Sequence, residues 1–104
     1  MPDFLLIYHG GKQPDTQADI DAAMAAWGKW MEDNGPALIN PGNPVGMSKT
    51  VSPSGVADNG GANPVSGYTI LRADTIDAAC AIAAQNPMVL DGSGSVEVAE
   101  IIEM

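Results

Sequence analysis

Phe4-Leu5-Leu6-Ile7-Tyr8-His9-Gly10-Gly11 is apolar at five consecutive positions before it meets a histidine and two glycines. Side chains alternate across a strand, so a strand with one wet face should alternate apolar and polar residues. Here both sets, Phe4, Leu6 and Tyr8 on one side and Leu5 and Ile7 on the other, are apolar. The stretch therefore reads as a strand covered on both faces. The domain's own helices can cover one face. In a chain of 104 residues the other must come from a second subunit.

Downstream, Ile20, Ala23, Met24, Trp27, Trp30 and Met31 recur at spacings of three and four, predicting a helix over 16–34 that starts at Asp15 or Thr16. Gly35-Pro36 ends it, because glycine accepts the left-handed cap conformation and proline cannot continue the ladder. Residues 37–39 suit a short strand, 40–44 (Asn-Pro-Gly-Asn-Pro) a turn, and 45–52 a weak edge strand. The stretch 53–66 is rich in Pro, Ser, Gly, Asn and Asp, as in a hairpin or exposed loop. Gly67-Tyr68-Thr69-Ile70-Leu71 has the aromatic and β-branched content of a strand. Asp74 is a candidate N-cap for a second helix over 75–85 with an apolar stripe of Ile76, Ala79, Cys80 and Ala83. Asn86-Pro87 closes that helix, 91–95 is a turn, and 96–102 is the last strand.

The order strand, helix, strand, strand, helix, strand predicts one α+β domain over 1–104, a ferredoxin-like βαββαβ unit with antiparallel sheet order 4-1-3-2. Right-handed crossovers place both helices on one face. The bare face, apolar on this reading, should be buried against another copy, so a two-fold homodimer is expected.

Thirteen acidic residues against four basic ones give a net charge of −9. Lys12, Lys29, Lys49 and Arg72 are scattered, so no basic patch is available to bind nucleic acid or an anionic membrane surface. Cys80 is the lone cysteine and no Cys/His metal spacing occurs, which points to a reducing, cytoplasmic setting and to no metal site. With nothing basic near it in sequence, Cys80 is expected to be buried and inert. The N-terminus lacks a basic region and reads as strand rather than signal peptide, and no run approaches the roughly 20 apolar residues of a membrane span.

Several segments are similar to the YCII-related (DGPF-type) family: Phe4-Leu5-Leu6-Ile7-Tyr8, Ser66-Gly67-Tyr68-Thr69-Ile70-Leu71, Gly94-Ser95-Val96-Glu97-Val98, and Ala73-Asp74-Thr75-Ile76-Asp77-Ala78-Ala79 with its closing Asn86-Pro87. The resemblance implies a dimeric α+β barrel in which two ferredoxin-like sheets enclose a cavity. It also implies kinship with enzymes acting on small ring compounds, such as chloromuconolactone dehalogenases, some relatives carrying a His/Asp pair. Two departures stand out. The Asp-Gly-Pro-Phe segment is missing, and Met88 and Val89 occupy a place where many relatives have a histidine.

His9 is the only histidine, and imidazole is the one side chain whose ordinary pKa suits acid–base work near neutral pH. In the 4-1-3-2 sheet the end of the first strand lies beside residues 66–68 and 91–95. His9, Tyr68 and Asp91 are therefore candidate catalytic residues, with Asp91 orienting the imidazole and Tyr68 donating to a developing oxyanion. Each has a plainer reading: a strand-end histidine bonded to backbone or water, a packing tyrosine, and a turn aspartate beside Gly92. Trp27, Trp30, Met24 and Met31 suit a core stripe or the lining of a ligand pocket. Gly10-Gly11-Lys12 does not have phosphate-loop spacing. Glu97, Glu100 and Glu103 read as a solvated edge. Two functions follow: a cofactor-free enzyme doing lyase, isomerase or dehalogenase-type proton transfer on a small cyclic or lactone-like molecule, or a dimer that binds a small ligand or partner without turnover.

Overall fold

The computed structural model describes residues 1–11, 15–61 and 63–103. The Gly10-Gly11-Lys12 segment falls partly outside them. The sheet is built around β1 (Asp3–Gly10), which runs antiparallel to both its neighbours, β5 (Val65–Arg72) and β6 (Gly94–Glu100). The short β2 (Leu38–Asn40) pairs with the outer edge of β5 and gives the order β2-β5-β1-β6. Counting only these four strands, that order is 4-1-3-2, the ferredoxin-like arrangement of an α+β fold.

Alternation along β1 sorts the two faces. Phe4, Leu6 and Tyr8 are buried, while Leu5, Ile7 and His9 are half-buried. The partners follow the register: Leu6 faces Thr69, and Phe4 faces Leu71, both fully buried. Three helices cover this side: α1 (Gln17–Asp33), α2 (Ile76–Ala83) and the single turn α3 (Pro87–Leu90). Their buried contributions are Trp30, Ala79 with Ala83, and Met88. Two alanines let α2 approach the strands closely, and the Trp30 indole N–H donates to the Ile82 carbonyl at 3.0 Å, tying α1 to α2.

Caps explain where the helices begin. Thr16 accepts from the Asp19 N–H at 3.1 Å, one of the two starts expected for α1. For α2 the cap is Thr75, which accepts from the Ala78 N–H, and not Asp74. A threonine oxygen three residues before the orphan N–H satisfies it as well as an aspartate would. Asn86-Pro87 does more than close α2. Asn86 accepts from the Met88 N–H and Pro87 occupies the first position of α3, where its missing N–H costs nothing.

Three further expectations are corrected. Residues 45–49 form no strand; beyond an isolated bridge from Pro44 to Gly67, the chain pairs next in a separate hairpin, β3 (Thr50–Ser52) with β4 (Gly55–Ala57). Pro41, Gly42, Pro44 and Gly46 interrupt any ladder before it starts. Cys80 is exposed rather than buried, because Ala79 and Ala83 supply the inner face of a helix too short for a wider stripe. The apolar stripe of α1 packs only in part: Trp30 is buried in the core with Trp27 and Met31 against it, whereas Met24 is 70% exposed.

Leu6→Ala removes a wholly buried side chain at the centre of the sheet and should lower unfolding free energy by about 3 kcal/mol. Val51→Ala in the exposed hairpin should stay within about 0.5 kcal/mol. Urea denaturation of both variants checks the contrast.

Candidate functional site

Beside the part of α1 that packs on the core lies a cavity of about 700 Å³. Asp19, Ala23 and Trp27 line it from α1, Tyr8 from β1, the start of β5 from one side, and Met88 with Asp91 from the α3 end. The volume lies inside the usual range of small-molecule sites, roughly 300–1,000 Å³. Trp30 anchors the C-terminal part of α1, and the small residues Ala22, Ala23 and Ala26 leave room ahead of it.

The opposite wall is the segment 41–45, stitched to the start of β5. Val45 N–H donates to the Ser66 carbonyl at 3.0 Å, and Tyr68 N–H to the Asn43 carbonyl at 3.2 Å. Gly42 sits at φ +74°, and a Cβ there would overlap the Tyr68 carbonyl, so only glycine allows this approach. Gly67 similarly makes room for the Tyr8 ring, which a Cβ would meet at 3.2 Å. A β-bulge accompanies the wall: Tyr8 pairs with Gly67 and His9 with Val65, leaving Ser66 as the extra residue.

Behind the lining the Tyr8 hydroxyl lies 2.6 Å from the buried Thr69 Oγ1, and Thr69 donates to the Pro41 carbonyl at 2.8 Å. A carbonyl only accepts, so the threonine proton is committed and Tyr8 is the donor to Thr69. Burial raises the Tyr8 phenol above its ordinary pKa of 10.0, and the Thr69 hydrogen bond lowers it by less. The Tyr8 ring also meets Trp27 edge to face, centroids 5.4 Å apart, and Trp27 meets Trp30 at 6.0 Å. Ser93 Oγ, on the lining, is buried and has no hydrogen-bond partner among the described residues.

The candidate residues from the sequence divide between the two faces. Asp91 lines the cavity and its Oδ1 accepts from the Ser93 N–H at 2.8 Å. Tyr68 pairs with Ile7, so its side chain lies on the face of His9, while its backbone borders the cavity wall at Gly42 and Asn43. His9 is one residue beyond Tyr8 and so lies on the face away from the helices. Its Nε2 is 3.2 Å from Glu97 Oε1, and its Nδ1 is 3.0 Å from the Asn63 carbonyl. The carboxylate beside the imidazole is thus Glu97, which reads in the sequence as a solvated edge. The signal was available: His9 pairs with Ser95 and Ile7 with Glu97, so period-two counting puts His9 diagonal to Glu97. Asp19 and Tyr8 were missed as cavity residues because their place depends on how far α1 stands from the sheet.

Among the described residues no group of three His, Cys, Asp or Glu side chains is placed to hold a metal ion, and no helix is long and apolar enough to cross a membrane.

Because the folded protein holds the Tyr8 proton above pH 10, where an unfolded tyrosine releases it, the unfolded state binds fewer protons there. Stability from this group is complete below about pH 10 and declines as pH rises toward the raised folded value. Tyr8→Phe should remove that part of the decline while costing about 1 kcal/mol at neutral pH through the lost hydrogen bond. Denaturant midpoints of both proteins between neutral and strongly alkaline pH measure this.

No protein-family model matches the chain, and no curated protein matches it in sequence. Among solved structures the chain is similar to the 5-chloro-2-hydroxyhydroquinone dehydrochlorinase TftG of Burkholderia phenoliruptrix, in complex with 2,5-dihydroxybenzoquinone. The match has a TM-score of 0.60 at 17% identity and covers 97% of this chain and 95% of that one. The two proteins share an α+β fold along nearly their whole lengths.

Proposed function

We propose that this protein is a YCII-related homodimer that binds a small cyclic molecule between α1 and the sheet and moves a proton on it without a cofactor, in lyase, isomerase or dehalogenase-type chemistry. The cavity of about 700 Å³, walled by aromatic and thioether side chains with carboxylates on its lining, is the observation that carries this reading. The shared fold with a dehydrochlorinase in complex with a dihydroxybenzoquinone supports a ring-shaped ligand.

Asp91 is the proton acceptor in this scheme. Its carboxylate removes a proton from the bound ring, the freed electron pair forms a new double bond, and a halide or other leaving group departs with its bonding pair. The step is redox-neutral. The 41–45 segment holds the ring against Trp27.

A second reading has its own observation. His9 and Glu97 form a 3.2 Å pair on the sheet face that the helices leave uncovered. If two copies pack through that face, the pair is enclosed, and His9 becomes the proton-transfer residue with Glu97 orienting it. The half-buried Leu5, Ile7 and Ile70 on that face supply the apolar surface for such a dimer.

A panel of lactones and halogenated hydroxylated rings separates these readings. Under the first, Asp91→Asn should lower kcat by about 10² to 10⁴ while His9→Ala leaves it within about threefold. The reverse pattern would move the chemistry to His9. Saturable binding with no turnover across the panel would make the protein a binding module. Light scattering should give twice the 10.7 kDa chain mass, and Ile7→Glu should shift it to monomer.

A further inference from the structure

The two edges of the sheet are finished differently. β2 is three residues long, with Pro36 shortly before it and Pro41 directly after, which leaves little edge for another strand to join. β6 closes the opposite side and runs seven residues without proline, lysine or bulge. Ile101 N–H donates to the Asp3 carbonyl at 2.9 Å and Gly11 N–H to the Ser93 carbonyl at 3.0 Å, which fixes the phase of the ladder. Odd-numbered residues of β6 therefore turn their N–H and C=O toward β1, and those of Gly94, Val96, Val98 and Glu100 point outward. Among the described residues no strand pairs with them. The side chains at these outward positions lie on the helix side, since Val96 pairs with Tyr8 and Val98 with Leu6. There a groove of about 290 Å³ follows the edge, bordered by Val96, Val98, Cys80, Ala84 and Val89.

We propose that the free edge of β6 docks an extended segment of another protein, antiparallel to β6, in which small apolar residues alternate with Lys or Arg. A second strand supplies N–H and C=O groups at the spacing that the outward positions repeat, and every pair already in this sheet is antiparallel. Residues opposite Val96 and Val98 enter the groove, whose small lining suits valine or leucine. The residue between them falls on the other face, opposite Glu97, in the kind of pair where side chains approach most closely. His9 engages only Oε1 of that carboxylate, which leaves Oε2 for a cation. Glu100, exposed and without an ion-pair partner among the described residues, offers a second carboxylate along the same edge. A copy of this chain is the wrong occupant. Two β6 strands paired antiparallel over their full length would set the two Glu97 carboxylates face to face, between chains that each carry a net charge of −9.

The test titrates the full chain into a fluorophore-labelled, amidated peptide of sequence TVKVKVKT and follows anisotropy at low salt. Docked as proposed, its valines face the groove and turn their N–H groups to β6, while its lysines turn theirs to solvent. N-methylation of the valines should weaken binding by about tenfold or more, and N-methylation of the lysines should leave it within about threefold. Val98→Pro, which removes an outward N–H, and Ala84→Arg, which blocks the groove from an exposed position and leaves the strand untouched, should each weaken it. Glu100→Gln should lower affinity and flatten its salt dependence. No binding of the parent peptide, equal binding of both methylated forms, or loss with the lysine set alone would overturn the proposal. A fall in the protein's own mass by light scattering on Ala84→Arg would also overturn it, by giving the edge to a second copy.

Discussion

Hydrogen bonding along both edges of β1 is the constraint from which the other features follow. Paired with β5 on one side and β6 on the other, this strand cannot slip by one residue without exchanging its two faces. Phe4, Leu6 and Tyr8 are thereby committed to the helices, and Leu5, Ile7 and His9 to the side that the chain leaves uncovered. Tyr8 and His9 are consecutive in the chain and lie on opposite sides of a sheet. One joins an aromatic group with Trp27; the other joins Glu97.

The cavity owes its existence to incomplete closure of the layer above that strand. Trp30 fixes α1 at one end through its burial and its bond to Ile82, while the preceding turns carry alanines too small to fill the space below. A tightly docked α1 would have needed larger residues at 22, 23 and 26. The wall formed by 41–45 does not relax inward either, because its hydrogen bonds to the start of β5 and the glycine at 42 hold it in place. An open space bordered by bonded backbone costs little reorganisation when a ligand enters.

Much of the architecture was legible in the sequence because it depends on short-range pattern. The apolar run at 4–8, the helical spacing through Trp30 and the Gly-Tyr-Thr-Ile-Leu strand each announce themselves, and the topology follows from their order. The site was legible only in part. Strand-end proximity brought His9 toward 66–68 and 91–95, whereas the bulge sets it opposite Val65 and the pairing with β6 opposite Ser95, and choosing its carboxylate required following alternation as far as Glu97. The cavity depends on the distance between a helix and a sheet, which no local pattern encodes. The same spacing of Met24, Trp27 and Met31 serves for packing and for lining a pocket. Thr75 replacing Asp74 as a cap, and Cys80 facing outward, reflect a helical phase that the sequence leaves open by about one residue.

The bulge at Ser66 also has a bearing on how such a chain can change over time. Insertions or losses within the exposed hairpin 50–57 are absorbed in a segment outside the main ladder, where length carries little energetic weight. A single residue lost at 66 is a different event. It would remove the offset between Gly67 and Val65, send the preceding side chains to the other face, and pull the 41–45 wall out of register with its bonding partners. Variation in length should therefore collect in the hairpin and spare the bulge, which lets the outer arm diversify while the inner wall keeps its shape.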